Sequence, residues 1–192
     1  MYAYSESQPL ATVSPLSRQP PAGSKRSPLT VRWPETTDRK ALDTLFAAPE
    51  VLSWTVELPG NPPVKLQSQP SPSDESYVLL ACEDSTIAGA ISLSVCPADQ
   101  KRHVGSIGSL VIGREHRSQE IGVKLMKSAL YLADHWLHLK RLQLAVLADN
   151  DVALKVFRRF GFGEEGRLQD CALPGDDHVD AILMSRVKAD NA

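Results

Sequence analysis

The sequence predicts an α/β (α+β) protein built on a mixed sheet, and three observations carry that prediction. First, residues 103–147 read as apolar strand, polar turn, amphipathic helix and apolar strand. In such a unit the two strands are parallel and the crossover is right-handed in almost every known case. Second, a short polar turn after Leu147 leads into another helix, which Gly161 stops. Third, Tyr77–Cys82 with Ile87–Val95, and Glu164–Ala172 with His178–Val187, flank turn residues as antiparallel hairpins do.

Taken in order, Met1–Leu29 holds five prolines and six serines and has no apolar period, so it predicts a disordered tail. It carries Arg18, Lys25 and Arg26 against Glu6, which leaves a transit peptide open, although its proline density opposes the amphipathic helix such peptides form. One domain is expected over residues 30–188, with 189–192 as a C-terminal tail. Thr30–Trp33 is a short strand that Pro34 ends, and Thr36 or Thr37 can cap a helix to Ala47 with Ala41, Leu42, Leu45 and Phe46 on one face. Trp54–Leu58, Gly60–Pro63 and the Pro/Ser-rich stretch to Ser76 read as a loop. Gly89 suggests a bulge or a close backbone approach, and Gly105, Gly108 and Gly113 are more glycines than strand packing needs. From Arg117 the stripe Ile121, Leu125, Ala129, Leu132 and Trp136 makes a helix of about four turns. Leu142–Leu147 is its neighbouring strand, and Asp151–Phe160 the last helix.

Composition narrows the function. The chain has 192 residues, 42% hydrophobic and 23% charged, with a net charge of -2. The lack of basic excess argues against nucleic acid, and no apolar run reaches the roughly 18 residues of a membrane span. Cys82, Cys96 and Cys171 are odd in number and widely spaced, which suits a reducing, cytoplasmic setting rather than a disulfide framework. Cysteines and histidines lack metal-ligand spacing, so no metal is expected. A Gly-x-Ser-x-Gly elbow, a dinucleotide glycine motif and a P-loop are absent from the sequence.

The stretch Gly108–Met126 passes from strand through a charged turn into a helix N-terminus, whose unpaired N–H groups and partial positive charge suit a pyrophosphate. Arg117-Ser-Gln-Glu-Ile-Gly122 resembles the Arg/Gln-x-x-Gly-x-Gly/Ala signature of the GNAT superfamily of N-acetyltransferases, with Glu120 at the family's first glycine. Asn150-Asp-Val-Ala153-Leu-Lys-Val-Phe157-Arg-Arg-Phe-Gly161-Phe162 is similar to the family pattern Asn-x-x-Ala-x-x-x-Tyr-x-x-x-Gly-Phe, with Phe157 at the tyrosine. Ala133–Leu137, Ala148–Asn150 and Val179–Ala181 look like the bacterial amino-acid N-acetyltransferase branch, and the likeness covers Leu29–Lys188.

The resemblance implies the GNAT acyltransferase fold, a mixed sheet of about six to seven strands flanked by about four helices. It implies acetyl-coenzyme A as co-substrate and the amine of a small molecule, an amino acid in that branch, as acceptor. Implied cofactor contacts are Leu110, Val111 and Ile112 on the strand, whose glycines suit the family's bulge, then Arg117, Ser118, Gln119, Glu120, Ile121, Gly122 and Val123 on the turn, with Asn150 and Phe157. Asn150 is equally a helix cap. Lys155 and Arg158 could meet the ribose phosphate or be solvated surface charge. The family's tyrosine protonates the leaving thiolate, a role worth at most about 10²- to 10⁴-fold, and Phe157 lacks the phenol. Cys171 and His178, on the last two strands, are substitute acids, and His103 is a candidate base. With Glu120 and Phe157 both departing from the pattern, a catalytically weakened binding or interaction module is the alternative reading. A homodimer is one arrangement the sequence leaves open.

Overall fold

The computed structural model describes residues 28–47, 52–53, 56, 70–71, 73–113, 116, 119–172 and 179–188. The predicted tail up to Ser27, the Gly60–Pro63 loop, the Pro174–Asp177 turn and residues 189–192 lie outside them. The strands are β1 (Leu29–Arg32), β2 (Leu52–Ser53), β3 (Ser76–Glu83), β4 (Thr86–Val95), β5 (Val104–Ile112), β6 (Arg141–Leu147), β7 (Gly163–Ala172) and β8 (Val179–Val187). Three α-helices are described: α1 (Arg39–Ala47), α2 (Gln119–Tyr131) and α3 (Asp151–Arg159). The sheet runs β1-β3-β4-β5-β6-β8-β7, with β2 joined to β5 off that path. Among the described residues only β5 and β6 pair in parallel; the other neighbours are antiparallel, so the sheet is mixed as predicted.

Period-two alternation assigns the faces. Leu79, Ile91, Leu93, Ile107, Leu110, Ile112, Leu144 and Val146 meet Ile121, Leu125 and Ala129 of α2 and Ala153, Val156 and Phe157 of α3 in the main core. The opposite face carries Val78, Leu80, Cys82, Ala90 and Val111 against Leu42 of α1. The apolar stripe of α1 is narrower than predicted, because Ala41 and Phe46 are exposed. Entry to α1 is also held differently: Asp38, not Thr36 or Thr37, accepts the Glu35 N–H at 2.7 Å and receives the Arg32 guanidinium at 2.6 and 2.9 Å.

Gly89 serves both roles expected of it. The β3–β4 register shifts between Ala81 and Cys82, beside it. A Cβ on Gly89 would stand 2.7 Å from the Val111 carbonyl and 3.2 Å from Ile121, so the bare backbone lets α2 lie directly on the sheet. At its C-terminus α2 widens into a π turn, Leu132–Trp136, that brings Trp136 against Trp33 and Tyr77. No helix among the described residues is long and apolar enough to cross a membrane.

One element departs from the sequence reading. Trp54–Leu58 reads as a loop and no strand is predicted ahead of it, yet Leu52 and Ser53 pair antiparallel with Ile112 and Val111, and the Val56 N–H donates to the Ala145 carbonyl at 2.8 Å. Two paired residues and one bridge are too short to show a strand period.

Candidate active site at a fork between parallel strands

β5 and β6 hydrogen-bond only at their beginnings, Val104–Ser106 against Arg141–Gln143. Beyond Ser106 and Gln143 they part, β5 staying with β4 and β6 with β8. A parallel pair that opens toward its C-terminal ends leaves a wedge where ligands of open α/β sheets bind. The bulge predicted for this strand lies on the wall of the wedge: β5 carries an extra residue at Gly108–Ser109, opposite Ser92. Gly108 is needed there, since a Cβ would lie 2.5 Å from Ser92 Oγ, the atom that accepts the Ser109 N–H at 2.8 Å.

At the open end each strand feeds a helix N-terminus. The turn after β5 is anchored by the Gly113 N–H donating to the Ala88 carbonyl at 3.0 Å and by His116 Nδ1 lying 2.8 Å from Glu83 Oε2. α2 then begins at Gln119, and its first-turn N–H groups have no carbonyl one turn earlier to accept them. Ile121 and Gly122 are buried, Val123 is half-buried and Glu120 is exposed. Arg117 and Ser118 lie outside the described residues, as do the side chain of Gln119 and all of His178. The turn after β6 ends at Asn150, which caps α3: its Oδ1 accepts the Ala153 N–H at 3.1 Å. That bond leaves the Asn150 NH₂ as the group able to donate.

The remaining predicted residues divide clearly. Leu110 and Ile112 point into the α2 side and Val111 to the α1 side, while Val111 and Ile112 pair through their backbone with Ser53 and Leu52. Phe157 has no exposed surface and meets Phe162 edge-on at 6.1 Å. Cys171 is exposed on β7, the sheet edge, separated from β6 by β8 and thus about 10 Å from the fork in strand spacings alone. His103 precedes β5 at the closed end, roughly 25–30 Å of strand from Ile112, so it is not brought to the open end. Arg158 is engaged by Glu164, while Lys155 is exposed.

Polar groups that the sequence reading passed over stand at the apex. Gln143 Nε2 donates to Ser106 Oγ at 3.1 Å, at the last pair before the strands diverge. Ser92, Ser94 and Ser106 are buried on the α1 face. Their signal was the alternation Ile91-Ser-Leu-Ser-Val95, a strand with one polar face.

Comparison with known proteins agrees with this geometry. Residues 33–162 match the model of the acetyltransferase (GNAT) family. The chain is 31% identical over 162 residues to the L-amino acid N-acetyltransferase AaaT of Escherichia coli (strain K12), covering 84% of this chain and 99% of that protein. A GNAT-family acetyltransferase from Streptococcus pneumoniae superposes with a TM-score of 0.67 at 22% identity, over 84% of this chain and all of that one. Spermidine N-acetyltransferase from Vibrio cholerae, solved in complex with CoA and spermine, gives 0.65 at 17% identity, over 83% and 95%. The forked parallel pair, the two helix N-termini and these matches make the chain a member of the GNAT family and an acetyl-transferring enzyme.

Proposed function

We propose that the protein transfers the acetyl group of acetyl-coenzyme A to the amine of a small molecule, an amino acid, in the cytoplasm. The observation that carries this reading is the fork itself: β5 and β6 separate after Ser106 and Gln143, and both open ends run into helix N-termini. The relative named as an L-amino acid N-acetyltransferase supports the acceptor class.

The residues present fit a thioester carried on a pyrophosphate-bearing arm. The α2 N-terminus offers unpaired backbone donors in its first turn, Gln119 to Ile121, and Arg117 and Ser118 precede it in sequence. On β5 the edge at Val111 and Ile112 is taken by β2, which leaves the stretch before it, with Leu110, as the wall for the arm, and Asn150, whose NH₂ can donate, ends the turn after β6. When bound, acetyl-coenzyme A supplies the activated acyl carbon. The chain's part is to orient the amine, exclude water and let a proton reach the departing sulfur. Phe157 excludes water but donates no proton, so the proton comes through another group or solvent.

The test is thiol release from acetyl-coenzyme A across amino acids, polyamines and arylamines, with the product identified by mass. N-acetylated amino acid is expected. Release with polyamines or arylamines alone would overturn the acceptor, and no binding of acetyl-coenzyme A by calorimetry would overturn the donor.

A further inference from the structure

The strand register assembles a polar cluster at the closed apex of the fork. Ser94 lies opposite Ser106, Ser106 opposite Gln143, and Gln143 opposite Ser185, whose hydroxyl is engaged by Glu165 at 2.6 Å; Ser92 stands two residues before Ser94 on the same face of β4, at the bulge. Most of their neighbours along the strands, which point the other way, are apolar core: Leu93, Val95, Ile107, Leu142, Leu144 and Met184. Burying hydroxyls costs free energy unless they are bonded. Ser92 is 4% and Ser106 6% exposed. Each accepts one hydrogen bond, from the Ser109 N–H and from Gln143 Nε2 respectively. Among the described residues neither hydroxyl hydrogen has an acceptor, and Gln143 Oε1 has no donor. Gln143 is only half-buried, so the cluster reaches solvent through it.

We propose that Ser92, Ser106 and Gln143 form the acceptor-recognition site and select an α-amino acid over a simple amine; this rests on the acetyl-transfer reading above. Two buried hydroxyl donors suit a carboxylate, and the Gln143 Oε1 acceptor suits an N–H of the α-amine beside it. The Gln143 contact turns the nitrogen lone pair toward the wedge between β5 and β6, where the arm of the donor arrives. The bulge at Gly108–Ser109 belongs to the same device, because it brings Ser92 Oγ to the wedge wall. The apex is thus a specificity element rather than a source of acid or base.

Steady-state kinetics on the full chain test this, comparing the best amino acid with the amine obtained by removing its carboxyl group. The wild type is expected to prefer the amino acid by tenfold or more in kcat/KM. Ser92→Ala with Ser106→Ala should erase that preference chiefly through KM. Gln143→Met should raise KM for both acceptors, and Gln143→Glu, which retains an oxygen acceptor, should lie between Met and wild type for the decarboxylated amine. Calorimetric affinity for acetyl-coenzyme A should stay unchanged in all of them. An active wild type whose preference survives the serine variants, with melting temperature intact, overturns the site. If those variants do not fold, an unchanged KM in Gln143→Met overturns it instead. An inactive wild type that binds no acetyl-coenzyme A would defeat the acetyl-transfer reading first, and is recognised by that calorimetry.

Discussion

Phe157 occupies a fully buried place on α3, edge-on to Phe162, with the family's phenolic oxygen missing from its ring. Phe157→Tyr should raise the single-turnover acetylation rate if proton delivery to the leaving thiolate limits the chemical step, leaving cofactor affinity alone. The hydroxyl enters a site with no exposed surface, so a stability loss of about 1–3 kcal/mol is expected alongside if it finds no partner. A folded variant with the wild-type single-turnover rate would show that another group already serves as the acid. Glu120 is the second departure from the family pattern. It is exposed in the first turn of α2, where an acidic side chain helps the helix dipole but would oppose the pyrophosphate of the cofactor proposed to bind there. Exposed charge pairs interact by up to about 1 kcal/mol, so Glu120→Gly should tighten acetyl-coenzyme A binding about fivefold at low salt. The gain should shrink as salt screens it. Equal calorimetric affinities at low salt would clear Glu120 of any effect.

The close seat of α2 on the sheet depends on Gly89. In Gly89→Ala the new methyl meets a backbone carbonyl at 2.7 Å as well as Ile121 and Leu125, so the neighbours cannot yield by side-chain rotation alone. Overpacking of this kind costs about 1–3 kcal/mol. For a chain of this size each kcal/mol lowers Tm by roughly 2–4 °C, which thermal melting resolves; an unchanged Tm would mean the helix is not held by that contact. Elements with a sustained period were legible from sequence: the α2 stripe and the hairpin strands appear within a few residues of their predicted places. Asn150 was legible as a cap for the same reason. The apex was not, because Ser106 and Gln143 lie 37 residues apart and meet only through register. β2 was hidden by its length, and what it does bears on the site. It uses the edge of β5 at Val111 and Ile112 that the family resemblance gives to the cofactor arm. His103 and Cys171 were named for lying on the right strands, but strand identity alone fixes neither the end of a strand nor its distance from the fork.

Among the described residues β5 and β6 pair directly with each other only at the base of the fork, and charge pairs help to close the sheet half on either side of it. In the first half the Arg32 guanidinium holds the Asp38 carboxyl below the ordinary aspartate range, with the Glu35 N–H adding to it. In the second, Arg141 and then the Ser185 hydroxyl bring Glu165 down to about 2. Arg167, followed by the Asp170 N–H, lowers Asp180 as well. All three shifts have the same sign: the folded state binds protons less readily than the unfolded chain. Their contribution is therefore complete above the ordinary carboxylate values of about 4 and disappears as pH falls through the lowered ones. Tm should be flat from pH 7 to about 5 and drop steeply below about 4. Asp38 is the most shielded of the three carboxylates, so its share should be largest, whereas the exposed Glu165 and the half-buried Asp180 with its exposed Arg167 partner are weakened by screening. Asp38→Asn should lower stability at neutral pH by about 1–3 kcal/mol, because it leaves the Arg32 charge short of its partner. It should also make the acid limb shallower, so that wild type and variant converge near pH 2. Parallel curves for the two proteins from pH 7 to 2 would show that the Arg32–Asp38 pair does not govern acid unfolding.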